Sequence, residues 1–225
     1  MRLAVATPGR VDYRAAAAWQ EALVERVFAG APDVLLLLEH PPVYTLGRGA
    51  DASHLGAAAA GAVPVVRTGR GGQVTWHGPG QLVGYPIVDL RRHRTDVRWY
   101  VGALEETLIR ALARLGIAAG RRAGHPGVWV GPAATPRKIA SIGVAIRRWV
   151  TWHGFALNVA PDLAGFAAIT PCGIAGVEMT AVAREGGPAD VAAVQGVVRD
   201  CFVATFGYTR TEPLVDAEAS VRESA

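Results

Sequence analysis

Lysine is almost absent from this 225-residue chain, which contains one lysine, Lys138, and 22 arginines. Arginine can supply positive charge at any surface position, but its guanidinium stays protonated. Burial, by contrast, can bring the pKa of a lysine toward neutrality. Lys138 is therefore a candidate for proton transfer. The alternative is that an arginine-rich composition left one lysine by chance, at an ordinary exposed strand position.

Cysteine is scarce as well, with two copies, Cys172 and Cys201. Two cysteines without a C-x-x-C spacing do not make a disulfide framework, so we expect a reducing, cytoplasmic setting. Cys172 lies between Pro171 and Gly173, which favours an accessible thiol, whereas Cys201 follows apolar helical periodicity and is expected in the core. A thiol and an amine are typical parts of nucleophilic acyl chemistry.

Further absences exclude whole classes of protein. No apolar run approaches the ~20 residues of a membrane span, and the apolar stretch at the N-terminus is too short for a secretory leader. The six histidines show no H-x-x-x-H spacing, so we expect no metal site, and neither a G-x-S-x-G elbow nor a phosphate loop is present. The net charge is +4, but the arginines are dispersed, which favours an acidic protein partner over nucleic acid.

The chain is 51% apolar, enough for one domain with a substantial core. Apolar periodicity predicts helices at 13–29, 96–115 and 190–206. It predicts strands at 34–38, 63–66, 82–90, 138–146 and 149–159, with Arg147-Arg148 as a hairpin turn. Helices and antiparallel hairpins alternate without a regular β-α-β order, which predicts an α+β fold. We expect a catalytic domain at 1–210 and a mobile acidic tail at 211–225.

The densest functional signal is a glycine-rich segment between the second and third predicted strands. Five glycines fall between Gly69 and Gly80, and glycine allows a backbone to approach a ligand closely. His77 lies within this segment. It could be a catalytic base, a ligand or a hydrogen-bonded core residue, and its spacing alone favours the last.

Four blocks of sequence carry a family resemblance: RGGQVTWHGPGQ at 70–81, KIASIG at 138–143, HGFALN at 153–158 and PCGI at 171–174. In these blocks, and in their order, the chain resembles the octanoyltransferases of lipoate synthesis, and the resemblance extends from about residue 10 to residue 207. Two positions depart from the family pattern. Trp76 stands where tyrosine is common, and Met179-Thr180 where Val-Thr is usual, which affects the expected shape of the pocket.

The resemblance implies a single α+β domain like that of the biotin and lipoate protein ligases, with a mixed sheet and flanking helices. It implies transfer of an octanoyl or lipoyl group from acyl carrier protein to a lysine of apo lipoyl domains, in 2-oxoacid dehydrogenase complexes and in glycine cleavage H protein. Because a thioester is converted to an amide, no ATP or other cofactor is expected, and neither nucleic acid nor membrane takes part.

The resemblance also assigns residues. Cys172 would be the nucleophile that forms a thioester, and Lys138 the general acid and base. The acyl chain would lie along Arg70, Gly71, Gly72, Gln73, Val74, Thr75, Trp76, His77, Ser141, Ile142, Gly143, Gly154, Phe155 and Ala156.

Three alternatives remain at this stage. The first is an ATP-dependent lipoate or biotin ligase of the same fold, which needs no nucleophilic cysteine. The second is a cysteine hydrolase that pairs Cys172 with His77 or His153, although no orienting carboxylate motif is evident. The third is a carrier-protein-binding module without catalytic activity.

Overall fold

The computed structural model describes residues 1–174 and 176–215. These residues form twelve strands: β1 (Arg2–Arg10), β2 (Asp33–Glu39), β3 (Val43–Leu46), β4 (Val65–Arg67), β5 (Val74–His77), β6 (Gln81–Ile87), β7 (Ala119–Gly120), β8 (Val128–Val130), β9 (Arg137–Arg147), β10 (Val150–Asn158), β11 (Glu178–Met179) and β12 (Arg210–Pro213). The helices of the same residues are α1 (Tyr13–Phe28), α2 (Val97–Arg114), α3 (Ala164–Ala167) and α4 (Val191–Phe206), and short 3₁₀ segments span Ala52–Ala60, Leu90–Arg92, Pro171–Gly173 and Val182–Glu185.

Nine of the strands form one mixed sheet. Its order is β12-β1-β2-β6-β10-β9-β8-β7, and β11 pairs with β9. The pairs that β1 makes with β2 and β12 are parallel, whereas the ladders from β2 across to β7 are antiparallel. A smaller sheet has the order β4-β3-β5. The predicted α+β class, with a mixed sheet and flanking helices, is confirmed.

Helices cover both faces of the large sheet, and β2 shows the consequence. Leu35 and Leu37 pack in the core that contains α2 and α4, whereas Leu36 and Leu38 pack in the core that contains α1. Successive side chains of a strand point to opposite faces, so a strand buried on both faces must be apolar at every position. This explains the continuous apolar run that predicted the strand.

The three long helices begin within one residue of their predicted starts. The carboxylates of Asp12, Asp96 and Asp190 each accept a hydrogen bond from a backbone N–H in the first turn of the helix that follows. Such N-caps satisfy donors that have no partner inside the helix. None of the helices in the described part of the chain combines the length and apolarity that crossing a bilayer requires.

The β9–β10 hairpin turns one residue later than the sequence suggested. Arg147 pairs with Val150, so the turn consists of Arg148 and Trp149, whose φ angles are 52° and 67°. Positive φ at both central residues defines a type I′ turn, which matches the twist of the two strands. The prediction of Arg147-Arg148 as the turn was wrong because neither Arg148 nor Trp149 is a typical residue for this turn.

The glycine-rich segment and the C-terminus also differ from the prediction. The sequence predicted no strand within the glycine-rich segment, whereas the structure has β5 there, paired with β3 in the small sheet. At the C-terminus, the predicted tail begins at residue 211, whereas residues 211–213 lie in β12 beside β1. The rest of that prediction, from residue 216 onward, lies outside the described residues.

Candidate active site

The single lysine lies beside the accessible cysteine. Nζ of Lys138, on β9, donates hydrogen bonds to Sγ of Cys172 at 3.2 Å and to the carbonyl oxygen of Pro126 at 3.0 Å. Nζ also lies 5.1 Å from the centre of the Trp129 ring, in reach of a cation–π interaction. Lys138 is only 2% exposed. It is therefore a buried, positioned amine, and not the ordinary exposed lysine of the alternative reading.

Because Gly127 has no side chain, there is room beside it for the side chain of Lys138. Its φ is 126°, and a Cβ at this position would lie 2.7 Å from Cε of Lys138 and 2.5 Å from the carbonyl oxygen of Ala140. The second contact is with backbone of the neighbouring strand, which cannot move aside easily. A glycine is therefore required here for the chain to pass close to β9 while the lysine reaches the thiol.

Cys172 occupies a strained position in a tight turn. Its φ and ψ are 58° and 14°, in the left-handed region that non-glycine residues rarely adopt. The turn is fixed by the N–H of Thr170, which donates to the carbonyl of His54, and by the N–H of Gly173, which donates to Thr170. Such strain costs about 1–3 kcal/mol and is common at active sites. Ser141 Oγ lies 4.0 Å from the sulfur, on the side of β9.

A cavity of about 270 Å³ adjoins this pair, and Cys172 and Lys138 both line it. Most of the residues predicted to bind the acyl chain are in its wall: Arg70, Gly71, Gly72, Gln73, Val74, Thr75, His77, Ser141, Ile142, Gly143, Gly154, Phe155 and Ala156. The glycine-rich segment and the paired middle parts of β9 and β10 are therefore brought together around one space.

Trp76 is the exception among the predicted residues, because it does not line the cavity. On β5, Thr75 and His77 line the cavity, whereas Trp76 between them does not. The Trp76 ring packs edge-to-face on Phe166 at 5.4 Å, in the core of the small sheet. The sequence prediction placed Trp76 along the acyl chain, whereas the structure does not place it in the wall of this cavity, since contiguity in a motif does not imply a shared side of the strand.

Arg70 is a buried cation in the cavity wall. Its Nη2 donates to the carbonyl oxygen and to Oγ1 of Thr45, both at 2.8 Å, and its Nη1 donates to the carbonyl oxygen of Gly71 at 3.1 Å. A Cβ on Gly143 would lie 3.1 Å from Cδ of this arginine. The absence of a side chain at Gly143 thus leaves room for the Arg70 side chain beside β9.

His77 is hydrogen-bonded on both sides of its ring, which supports the third of the sequence readings. Nδ1 lies 2.7 Å from Oε1 of Gln81, Nε2 lies 3.4 Å from Oγ1 of Thr45, and the ring stacks on Tyr13. Burial, together with nearby His40, lowers the pKa of His77 to about 3. The ring is therefore neutral at pH 7. Within residues 1–174 and 176–215, no group of three or more His, Cys, Asp or Glu could hold a metal ion.

Several residues of the cavity wall were not predicted: Tyr13, Val83, Tyr85, Val101, Gly124, His125, Pro126, Val144, His153 and Ile174. Tyr13, Val83, Tyr85, Val101 and Val144 had no signal in the sequence, because each lies on a helix or strand whose apolar pattern suggests core. Gly124, His125 and Pro126 lie in the loop between β7 and β8, which carries no motif, whereas Ile174 ends the PCGI block. His153 did have a signal, since it opens the HGFALN block directly before the predicted Gly154.

The comparison with protein families agrees with this geometry. The family model described as the lipoyl protein ligase A/B catalytic domain matches residues 12–203, which include every residue of the site. The chain belongs to this family.

Within the family, curated relatives are octanoyltransferases. The octanoyltransferase of Gloeobacter violaceus is 51% identical over 202 residues, 89% of this chain and 88% of the relative. That of Rhizorhabdus wittichii is 44% identical over 214 residues, 95% of each chain. At this similarity the chain is an acyltransferase of the octanoyltransferase group, and the resemblance seen in the four blocks is confirmed.

Solved structures share the fold. The bi-partite lipoate protein ligase of Thermoplasma acidophilum superposes with a TM-score of 0.76, covering 99% of this chain and 90% of that one, at 19% identity. At such low identity the likeness shows the common ligase-type fold alone.

Proposed function

We propose that this family member transfers an octanoyl group from the thioester of an acyl carrier protein to a lysine amine of a lipoyl domain, by way of a thioester on Cys172. The observation that carries the proposal is the 3.2 Å contact between Nζ of Lys138 and Sγ of Cys172 at one wall of the cavity. The acceptors would be the lipoyl domains of 2-oxoacid dehydrogenase complexes and glycine cleavage H protein.

In the first half-reaction the sulfur of Cys172 attacks the carbonyl carbon of the octanoyl thioester. The bond to the carrier's sulfur breaks, and that sulfur leaves as a thiol with a proton that Lys138 delivers. The proton that Cys172 loses passes to the amine of Lys138, so the protons balance within the pair. No co-reactant is required, because one thioester replaces another.

In the second half-reaction the amine of the acceptor lysine attacks the thioester on Cys172. The acceptor nitrogen loses a proton, Cys172 regains one, and an amide is formed. A group that both gives and takes protons is needed at the same place in both steps. An amine can do this, whereas a guanidinium cannot, which is a physical reason for a lysine at position 138 in so arginine-rich a chain.

The cavity suits a medium-length acyl chain. Burial of the seven carbons beyond the carbonyl of an octanoyl group is worth about 5–6 kcal/mol at ~0.8 kcal/mol per methylene. Each methylene removed should weaken binding roughly fourfold. At about 270 Å³ the cavity is small for a ligand site, which fits a slender chain better than a nucleotide.

The surface beside the cavity suits an acidic carrier domain. Gly124 and His125 line the cavity, Gly124 is exposed, and Arg121 and Arg122 directly precede them. Arg121 is paired with Glu105 and Glu106. Arg122 is exposed, stacks on Trp129 and has no ion pair among the described residues. We place the reaction in the cytoplasm, where Cys172 remains reduced.

The decisive experiment is the intact mass of the protein after brief mixing with octanoyl-acyl carrier protein. The wild type should gain one octanoyl group that hydroxylamine removes. Cys172→Ala should gain none. Cys201→Ala is the matched control: Cys201 is buried in α4 away from the cavity, so this variant should still be acylated at Cys172 at the normal rate. A persistent adduct on Cys172→Ala would place the acyl group elsewhere and contradict the proposed nucleophile.

The role of Lys138 is tested in both half-reactions separately. We expect Lys138→Arg to slow acylation and transfer to the acceptor by at least 100-fold, in the range of general acid–base catalysis. Normal rates in Lys138→Arg would show that Lys138 supplies only positive charge.

The ligase alternative predicts a different result. Transfer that requires ATP and free octanoate, with no adduct on Cys172, would support a ligase instead.

A further inference from the structure

His153 is a strained, buried histidine in the cavity wall with no part in the reaction described above. Its φ is 55°, and it is 2% exposed. Its backbone N–H donates to Oε1 of Gln20 at 2.7 Å, while both ring nitrogens lack a hydrogen-bond partner among the described residues. Buried polar atoms are nearly always paired, so an unpaired ring that faces a ligand cavity indicates a binding role.

The ring is fixed in place by its neighbours. Trp152 stacks on it with ring centres 4.4 Å apart, and Tyr85 meets it edge-on at 6.2 Å. Burial, then the charges of Arg70 and Arg48, lower the pKa of His153 to about 3. At pH 7 the ring therefore offers one N–H donor and one bare nitrogen acceptor, and can pair with either kind of polar atom.

The strand register gives its distance from the thiol. Ser141, whose Oγ is 4.0 Å from Cys172 Sγ, pairs with Ala156, and Val144 pairs with His153. From Ser141 to Val144 the strand advances three residues, about 10 Å at ~3.3 Å per residue. An extended eight-carbon chain, with C–C bonds of about 1.5 Å, spans roughly 9 Å. Along the strand, the backbone of His153 is therefore offset from Ser141 by about the length of an eight-carbon chain, and the His153 side chain lines the same cavity.

We propose that His153 forms a polar end to the acyl cavity and selects acyl groups by the atom they carry beyond the eighth carbon. A ninth carbon would bury the ring nitrogens without a hydrogen bond, whereas a hydroxyl on the eighth carbon would form a hydrogen bond with one of them. The site then takes medium-chain acyl thioesters with a hydrogen-bonding group at C8, in addition to octanoyl. This inference rests on the proposed octanoyl transfer.

The test compares two substrates of nearly equal size, nonanoyl and 8-hydroxyoctanoyl thioesters of the carrier protein, with octanoyl as the standard. We expect the wild type to use 8-hydroxyoctanoyl with a kcat/KM about tenfold above that of nonanoyl, the usual effect of leaving a buried polar group unpaired. Equal values in the wild type would overturn the inference without any variant. No octanoyl transfer at all would overturn the proposed function and this inference with it.

Two variants assign the effect to His153. In His153→Gly, which accepts the positive φ without strain, the preference for the hydroxyl should disappear and nonanoyl and decanoyl should be used more readily. In His153→Asn, which tolerates the same backbone and keeps polar atoms, the preference should be retained in part. A purely structural role would lower all rates together. An unchanged ratio of the two substrates in His153→Gly would therefore refute the assignment.

Discussion

Acidification from pH 7.5 to pH 5.5 is expected to lower the free energy of unfolding by about 4 kcal/mol, because three histidines are buried in their neutral form. Burial is the leading cause in each case. It lowers the pKa of His40 to about 4, that of His77 to about 3 and that of His153 to about 3. His40 is further held by the carbonyl of Val11 and the hydroxyl of Tyr85, each 2.7 Å from a ring nitrogen.

The sign follows from which state binds protons. In the unfolded chain each histidine titrates near pH 6.5, whereas in the folded protein it stays neutral until pH 4 or below. The stabilisation is thus fully present above about pH 6.5 and is lost as the pH falls from there toward the folded values. At pH 5.5 the unfolded state binds about 0.9 proton more per histidine.

The magnitude is the integral of this difference over pH. Between pH 7.5 and 5.5 it amounts to about 1.4 kcal/mol for each histidine, and about 4 kcal/mol for three. For a chain of this length the melting temperature should fall by roughly 8–16 °C. The paired carboxylates, such as Glu185 beside Arg137, add to the loss only at lower pH, where they begin to be protonated.

Urea unfolding at half-unit steps between pH 7.5 and 5.5 measures the slope directly. His77→Gln removes one of the three titrating rings. Whatever the stability of this variant at pH 7.5, its free energy of unfolding should change with pH about two thirds as steeply as that of the wild type. A stability that does not change over this range, or the same slope in His77→Gln, would refute the assignment of these rings as neutral and buried.

Three other predictions concern the site and its partners. Gly127→Ala should lower kcat strongly, because its Cβ would displace Cε of Lys138. The control Gly102→Ala, in open space on α2, should keep full activity and gain about 0.5–1 kcal/mol of stability. Equal kcat values for the two variants would contradict this account of the lysine. Gly154→Ala would place a Cβ 2.3 Å from the carbonyl oxygen of Gly84 and should cost about 3 kcal/mol or more in urea unfolding; a wild-type midpoint would show that the sheet can yield there. kcat/KM with an acyl carrier protein should fall between about 20 and 300 mM salt, over which the Debye length shrinks from roughly 20 to 6 Å, while a flat profile would exclude electrostatic docking.

Much of the architecture could be read from local patterns. The long helices were predicted because apolar periodicity is a property of a few neighbouring turns, and the structure adds that an aspartate caps each of them. The position of the β9–β10 turn was not predicted. Arg148 and Trp149 adopt positive φ because the pairing of the two strands places them in the turn, although neither residue type favours that backbone conformation. The strand within the glycine-rich segment was missed for a similar reason, since its partner β3 is distant in sequence.

The candidate site divides along the same line. Sequence by itself singled out the two candidate reactive residues, because one lysine in an arginine-rich chain and a cysteine between proline and glycine stand out without any coordinates. Only the tertiary structure decided which side chains share the cavity. Trp76, inside the motif, points into the small core, whereas His153, whose role no local pattern fixes, reaches the cavity through a left-handed backbone. Residue type limits the possible chemistry, but side-chain direction depends on strand pairing and packing between segments far apart in the chain.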